Sequence, residues 1–312
     1  MQMASPFSVY TIALTKSVIC TMIKKTFGGT AMIIQQINLY EYFHLDAPQG
    51  ADGRLICLAN PTSHEVSQGR LRPAVLVLPG GGYGFTSDRE AEPVAFRFLA
   101  QGYAAFILRY SVAPLAFPTA LREACMAMRY IRENAPAYEV APNMVSAIGF
   151  SAGGHLCGTL GTMYDCPEVA DLGNAELLRP NALGLCYPVA LSWGPTHEGS
   201  FDNLTRGDMQ LRKRLSLDAL ARADMPPTFL WHTRTDDAVP VRNSILLANT
   251  LADLGVDFAL HIFANGPHGL SNANDTVYSA HTVPACSADI PGWPETMIQF
   301  FREMGLKPTD RM

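Results

Sequence analysis

Charged residues are few in this sequence, and basic residues do not cluster. Only 16% of the 312 residues are charged, the formal net charge is −5, and no cluster of five or more Lys and Arg residues occurs. A protein that binds the phosphate backbone of nucleic acid needs a basic surface. We therefore expect no nucleic-acid partner.

Paired cysteine motifs are also missing. The seven cysteines are scattered along apolar segments without a single C-x-x-C pair. An odd number of dispersed cysteines is typical of reduced, buried thiols in a cytosolic protein rather than of a disulfide framework.

The sequence has no long hydrophobic run. The most apolar part of residues 1–31, FSVYTIALTKSVICTMIKK, is interrupted by Lys16, is too short to span a bilayer, and carries its positive charges after the apolar run. The segment is therefore not a convincing signal peptide. We expect no membrane partner and a cytoplasmic location. Residues 1–31 are interpreted as an N-terminal extension, from a start site placed too far upstream or from a poorly formed export signal, and residues 32–312 as one domain.

Strand-like and helix-like segments alternate through the rest of the chain. With 48% hydrophobic residues, this alternation predicts an α/β fold with a mostly parallel sheet covered on both faces. The predicted strands are 32–43, 54–60, 74–80, 104–110, 145–150, 182–189, 228–233 and 257–263. The predicted helices are 91–102, 119–135, the segment after Ser151, 241–255 and 294–305.

Residues 190–224 interrupt this alternation. They are polar, contain glycine and form a longer connection than is usual between a strand and the next element. An insertion near the carboxyl ends of a parallel sheet is well placed to cover a binding crevice. We expect a short polar cap here.

The segment IGFSAGGHL places one hydroxyl, that of Ser151, between Gly149 and Gly153. The run before Ser151 predicts a buried strand, and the run after it predicts a helix. A sharp turn between the two lifts the serine clear of the sheet, as a nucleophile requires. The N–H of Ala152, at the positive end of the helix, would point at a developing oxyanion.

A nucleophilic serine needs a base and an acid that orients the base. Asp236 and Asp237 directly follow a predicted strand, and His268 lies in a glycine-flanked loop after the next strand. Asp236 is favoured because it stands four positions before Pro240 in a D-x-x-V-P arrangement, but Asp237 remains an alternative. His155, His232 and His261 are expected in packed positions.

A second set of oxyanion donors is predicted in LVLPGGGYGF. Three glycines after an early strand let the backbone turn its N–H groups toward the oxyanion, and Gly81 and Gly82 are the expected donors. Aromatic and imidazole rings suit the faces of pyranose sugars. Tyr83, Trp193 and His197 are the candidates for sugar contact.

Five stretches, PGGGYGFTSDREAEPVAFRFL, FILRYSVAP, GFSAGGHL, PPTFLWHTRTDDAVPV and GPHGL, together resemble the bacterial acetyl-xylan-esterase-like branch of the α/β-hydrolase superfamily. The resemblance covers roughly residues 35–306. It implies an eight-stranded, mostly parallel sheet, a triad of Ser151, Asp236 and His268, the removal of acetyl groups from plant-cell-wall sugars, and no metal or other cofactor. The stretch after His268 and the N-terminal extension depart from the family pattern.

The expected function is therefore a serine carboxylesterase that acts on O-acetylated xylo- or manno-oligosaccharides. Its expected partner is a small-molecule or oligosaccharide ester substrate, and the sequence carries no sign of an oligomeric state. Three alternatives remain: a prolyl-oligopeptidase-like peptidase, a general short-chain esterase or lipase, and a non-catalytic binding protein on a hydrolase scaffold.

Overall fold

A mostly parallel β-sheet forms the centre of the chain. The computed structural model describes residues 32–63, 65–66, 69–278 and 283–310, so the extension predicted over 1–31 lies outside the described residues. The strands are β1 Ile33–Asn38, β2 Arg54–Ala59, β3 Arg70–Leu78, β4 Ala104–Arg109, β5 Val140–Phe150, β6 Leu183–Cys186, β7 Thr228–Thr233, β8 Phe258–Phe263 and β9 Thr309–Asp310.

Eight of these strands lie side by side in the order β1-β2-β4-β3-β5-β6-β7-β8. β1 pairs antiparallel with β2, and β2 antiparallel with β4, whereas all later neighbours are parallel. The predicted eight-stranded, mostly parallel sheet is confirmed. β9 adds a two-residue antiparallel pair with the start of β3.

Helices cover both faces of the sheet. They are α1 Leu39–Phe43, α2 Glu92–Ala100, α3 Thr119–Glu133, α4 Ala152–Thr162, α5 Ala175–Leu178, α6 Glu198–Thr205, α7 Met209–Arg214, α8 Leu217–Leu220, α9 Arg242–Asp253 and α10 Trp293–Glu303. None of the helices in the described ranges is long and apolar enough to cross a membrane.

Side chains of the central strands point alternately into two hydrophobic cores, as the period of two residues in a strand dictates. On β3, Leu76 and Leu78 lie in the core with α3, α4 and α9. Val75 and Val77, on the opposite face, lie in the core with α2 and α10. Both faces of β3 are therefore buried, which explains its continuous apolar sequence.

The first predicted strand needs a correction. The sequence predicts an extended strand over 32–43, but β1 ends at Asn38 and α1 follows at once. The side chain of Asn38 accepts hydrogen bonds from the N–H groups of Tyr40 and Glu41, and thereby caps the helix.

The strand order reverses between β3 and β5. The chain leaves β3 for β4 on one side and then crosses to β5 on the other, so the loops that follow β3 and β5 diverge at one edge of the sheet. Such a reversal leaves a crevice outside the carboxyl ends of the strands. The loop after β3 holds Gly80–Gly82, and the turn after β5 holds Ser151.

The predicted cap over 190–224 contains three short helices, α6, α7 and α8. It packs against the glycine loop through Asn203, whose side-chain amide donates to the carbonyl of Gly82 at 2.9 Å. Buried Leu215 and Leu217 fix its far end against α4. The segment therefore lies beside the crevice and is anchored in the core.

Candidate active site

Ser151 occupies a strained turn between β5 and α4. Its φ is 52° and its ψ is −117°, a conformation that L-residues rarely adopt. The backbone is crowded on both sides of this turn, and the two flanking glycines fit because they have no Cβ. A Cβ on Gly149 would lie 2.0 Å from the carbonyl oxygen of Gly153, and a Cβ on Gly153 would lie 2.2 Å from that of Leu78.

The structure brings Ser151, His268 and Asp236 into one hydrogen-bonded chain. The Oγ of Ser151 lies 2.8 Å from Nε2 of His268. On the other side of the ring, Nδ1 of His268 lies 2.7 Å from Oδ2 of Asp236. A carboxylate can only accept, so Nδ1 donates and Nε2 is free to take the serine proton.

Asp236, rather than Asp237, lies in the site. Asp236 is 6% exposed, whereas Asp237 is on the surface. Burial by itself raises the pKa of Asp236. Hydrogen bonds from His232 and His268, with one from the N–H of Val239, more than offset that effect and hold the pKa well below its usual range. Asp236 is therefore ionised.

His232 is a second histidine on the same carboxylate. Its Nε2 lies 3.3 Å from Oδ2 of Asp236 and 2.8 Å from the carbonyl of Val239, and both are acceptors, so this nitrogen carries a proton. Nδ1 meets the hydroxyl of Ser244 at 2.8 Å. His232 is packed, as predicted, but the prediction does not include its contact with Asp236. The spacing of four residues in HTRTD is the only signal for that contact.

The glycine loop after β3 turns through backbone conformations that favour glycine. Gly81 has a φ of 129° and Gly82 a φ of 62°. Within the part of the chain that the structure describes, no backbone carbonyl accepts a hydrogen bond from the N–H of Gly81, Gly82 or Ala152. These donors are the ones predicted for the oxyanion. Ala152 begins α4 directly after Ser151, and Gly81 and Gly82 follow Gly80, on which a Cβ would lie 3.1 Å from the Cβ of Ser151.

Side chains from several elements hold this loop. The hydroxyl of Tyr110 donates to the carbonyl of Pro79 at 2.6 Å, and the N–H of Gly80 donates to the carboxyl of Glu90 at 2.8 Å. Together with the bond from Asn203, these contacts fix the loop before any substrate binds, as oxyanion stabilisation requires.

Tyr83 requires a correction. The sequence makes it a candidate for sugar contact, but its side chain is only 3% exposed. Its φ of 57° turns the side chain back into the core, where the hydroxyl donates to Nδ1 of His155 at 2.8 Å. Nε2 of His155 bonds the carbonyl of Leu215 at 2.7 Å, and burial lowers the pKa of His155 to about 4. Tyr83 therefore supports the loop from below.

The other two candidates for sugar contact lie on the cap. Cε1 of His197 would be 3.6 Å from a Cβ placed on Gly82, so the imidazole lies beside the glycine loop. Trp193 is 51% exposed, and its indole nitrogen donates to Asp218 at 2.9 Å.

Phe85 is a further aromatic residue beside the glycine loop and is not among the residues predicted for sugar contact. It is 63% exposed, and its Cδ2 would lie 3.1 Å from a Cβ placed on Gly81. An exposed aromatic ring beside the predicted oxyanion donors would provide an apolar surface for a substrate. Its place three residues after the glycines was the available signal.

Among the described residues, no group of three or more His, Cys, Asp and Glu side chains is arranged to hold a metal ion.

Comparison with known proteins places these features in a family. The BD-FAE family profile matches residues 63–176, and the prolyl oligopeptidase family profile matches residues 190–285. The first match includes Ser151 and the glycine loop, and the second includes Asp236 and His268.

Two curated relatives have names connected with xylan. Endo-1,4-beta-xylanase B of Butyrivibrio fibrisolvens is 36% identical over 220 residues, which are 67% of this chain and 34% of the relative. The acetylxylan esterase of Xylanibacter ruminicola is 28% identical over 244 residues, which are 75% of this chain and 47% of the relative. The chain thus spans less than half the length of each.

A solved structure matches over nearly its whole length. The acetyl ester-xyloside bifunctional hydrolase from Caldicellulosiruptor lactoaceticus is 34% identical, with a TM-score of 0.74 over 87% of this chain and 97% of the other. The five motif stretches, the strand order and the similarity to this structure all indicate the same family. The chain belongs to the acetyl-xylan-esterase-like branch of the α/β-hydrolase superfamily.

Proposed function

We propose that this protein is a serine carboxylesterase that removes acetyl groups from O-acetylated xylo- or manno-oligosaccharides through an acyl-enzyme intermediate. The observation that carries the proposal is the chain of hydrogen bonds from Ser151 through His268 to Asp236, at 2.8 and 2.7 Å. It lies in the crevice where the strand order reverses, beside the backbone N–H groups of the glycine loop and of Ala152.

In the first half of the reaction, His268 takes the proton of Ser151 as the serine oxygen attacks the acetyl carbonyl carbon. Asp236 stabilises the imidazolium that forms. The N–H groups of Ala152, Gly81 and Gly82 bind the carbonyl oxygen as it becomes negative. His268 then protonates the departing sugar oxygen, and the acetyl group remains on Ser151.

In the second half of the reaction, water hydrolyses the acyl-enzyme. His268 takes a proton from a water molecule, whose oxygen attacks the acetyl carbon on Ser151. The tetrahedral intermediate collapses, the proton returns from His268 to the serine oxygen, and acetic acid leaves. Atoms and protons balance over the two halves: the reaction consumes one ester and one water and gives one free hydroxyl and one acetic acid.

The choice of a sugar ester is supported by the names of the relatives and by the mouth of the site. One relative is named an acetylxylan esterase, and the matching solved structure is named an acetyl ester-xyloside hydrolase. Phe85 and His197 lie on the glycine loop and beside it. Their rings suit the apolar face of a pyranose. Trp193, exposed on the cap, is the third proposed contact.

The test is acetate release from acetylated xylo-oligosaccharides, measured beside hydrolysis of p-nitrophenyl esters with acyl chains from acetyl upward. Both activities are expected in the wild type, and both are expected to vanish in Ser151→Ala. Activity confined to the nitrophenyl esters would keep the serine mechanism but overturn the carbohydrate substrate. An unchanged rate in Ser151→Ala would overturn the mechanism itself.

A second candidate is a peptidase, because the prolyl oligopeptidase profile matches residues 190–285. The same triad can attack an amide carbonyl, and His268 would then protonate the leaving amine. Turnover of aminoacyl p-nitroanilides without turnover of acetyl esters would favour this candidate over the esterase.

A further inference from the structure

A buried carboxyl group connects two loops beside Ser151, namely the glycine loop after β3 and the loop that holds His268. Glu90 is 3% exposed and lies in a short 3-10 turn, Asp88–Glu90. Its Oε2 accepts the N–H of Gly80, at the start of the glycine loop, at 2.8 Å. Its Oε1 accepts the hydroxyl of Tyr187 at 2.7 Å.

Tyr187 carries the connection on to the histidine loop. The N–H of Ser271, three residues after His268, donates to the hydroxyl oxygen of Tyr187 at 2.9 Å. The ring of Tyr187 also meets the ring of His268 edge to face, with centroids 5.1 Å apart. Burial and the neighbouring Glu90 hold the pKa of Tyr187 well above its usual range, so its hydroxyl keeps the proton that it donates.

A second hydrogen bond joins the 3-10 turn to the segment after His268. The hydroxyl of Ser271 donates to the carbonyl of Arg89, immediately before Glu90. The 3-10 turn therefore touches the glycine loop on one side and the segment after His268 on the other.

A buried position is unfavourable for Glu90 unless its carboxyl oxygens are paired. A buried carboxyl group loses its hydration, and an apolar side chain of similar volume often stabilises a core as well or better. Within the described residues, no Lys or Arg forms a salt bridge with Glu90. The group is instead satisfied by donors that belong to, or lead to, the two catalytic loops.

We propose that Glu90 and Tyr187 are positioning residues, which hold the glycine loop and the His268 loop at a fixed separation so that the oxyanion donors and the base act on the same substrate atom. The inference rests on the proposed function, in which both loops act on one tetrahedral intermediate. A misplacement of about 1 Å at such a site lowers the rate by about 100-fold.

The chain contains a matched control for this pair. Glu123 is also buried, and its carboxyl likewise accepts a backbone N–H, from Ser111 at 2.6 Å, and a tyrosine hydroxyl, from Tyr40 at 2.9 Å, together with the hydroxyl of Ser111 at 2.5 Å. These donors belong to α1 and to the loop after β4, not to the glycine or histidine loops. Glu123→Gln and Tyr40→Phe therefore alter the same chemical groups without removing a hydrogen bond to the glycine or histidine loop.

The experiment compares Glu90→Gln and Tyr187→Phe with Glu123→Gln and Tyr40→Phe. Melting temperature establishes that each variant is folded, and kcat and KM are measured with p-nitrophenyl acetate. In the same variants, the rate at which a fluorophosphonate probe labels Ser151 is also measured. We expect kcat and the labelling rate to fall about 10- to 100-fold in Tyr187→Phe and Glu90→Gln, with KM within about twofold of the wild type. The control pair should stay within twofold in all three quantities.

Two results would overturn the proposal: wild-type kcat and labelling rates in Glu90→Gln and Tyr187→Phe, or equal losses in the control pair, which would make the effect a general cost of altering a buried acid. The labelling rate separates this proposal from the proposed function. Labelling of the wild type without ester turnover, slowed in the Glu90 and Tyr187 variants, would support the positioning role and contradict the esterase. A wild type that the probe does not label would overturn both.

Discussion

Asp236 shares one carboxylate oxygen between two histidines: its Oδ2 lies 2.7 Å from Nδ1 of His268 and 3.3 Å from Nε2 of His232. The neighbouring Oδ1 accepts the N–H groups of Ala238 and Val239, at 3.1 and 2.8 Å. Four donors thus converge on one buried carboxylate. They keep it ionised and fix its orientation toward His268.

The first prediction separates the two adjacent aspartates. Asp236→Asn places an amide donor against Nδ1 of His268, which forces the ring into the tautomer that cannot accept the proton of Ser151. We expect kcat for p-nitrophenyl acetate to fall by about three to four orders of magnitude. Asp237→Asn, one residue away and on the surface, should retain wild-type kcat. A larger loss in Asp237→Asn would move the acid role to Asp237.

The second prediction concerns the glycine loop. A Cβ on Gly81 would lie 2.1 Å from the carbonyl oxygen of Phe85, whereas a Cβ on Gly82 would meet nothing nearer than 3.6 Å. Gly81→Ala must therefore displace the loop, and we expect a loss of about 100-fold or more in kcat. Gly82→Ala should cost about 1 kcal/mol of stability from its positive φ and keep kcat within tenfold.

Both variants are compared by steady-state kinetics on the same ester, with urea unfolding as the measure of stability. Equal kcat in the two variants would show that crowding at Gly81 does not control the oxyanion donors.

The third prediction concerns pH and stability. Burial raises the pKa of Glu123 to about 7 from an ordinary value of 4.5. A carboxyl whose pKa is raised on folding stabilises the protein fully below about pH 4.5, and this contribution is lost as the pH rises to about 7. The loss amounts to about 3 kcal/mol.

Glu123→Gln stays neutral at every pH and does not lose this contribution. The free energy of unfolding of the variant, relative to the wild type, should therefore rise by up to about 3 kcal/mol between pH 5 and pH 8. Urea unfolding at the two pH values measures it. A difference between variant and wild type that does not change with pH would show that Glu123 is ionised throughout.

The sequence predicts well those parts of the site that form locally. Ser151 and Ala152 depend on a strand, a sharp turn and a helix that are consecutive in the chain, and the glycines fit the close backbone approaches that the turn requires. Chain order then suffices to add Asp236 and His268, because successive parallel strands end at the same edge of the sheet.

The residues that support the site are not predictable in the same way. Glu90 and Tyr187 are 97 residues apart, and their hydrogen bond depends on how β3 and β6 are placed in the sheet. Nothing in SDREAEP distinguishes an acid that turns inward from its exposed neighbours. The prediction that Tyr83 contacts sugar fails for a related reason. Its positive φ reverses the side-chain direction that an ordinary loop residue would have.

The last prediction is that Phe85 contacts the sugar and takes no part in the chemical step. Its ring is 63% exposed beside Gly81, and an aromatic contact of this kind is worth about 1 kcal/mol. We expect Phe85→Ala to raise KM for acetylated xylo-oligosaccharides about fivefold with kcat for p-nitrophenyl acetate unchanged, and Phe85→Tyr to restore the KM. Phe96, 53% exposed on α2, gives the control, because Phe96→Ala removes an equally exposed ring on another element. If Phe85→Ala instead lowered kcat for both substrates, the ring would support the glycine loop, and the sugar contact would be left to His197 and Trp193.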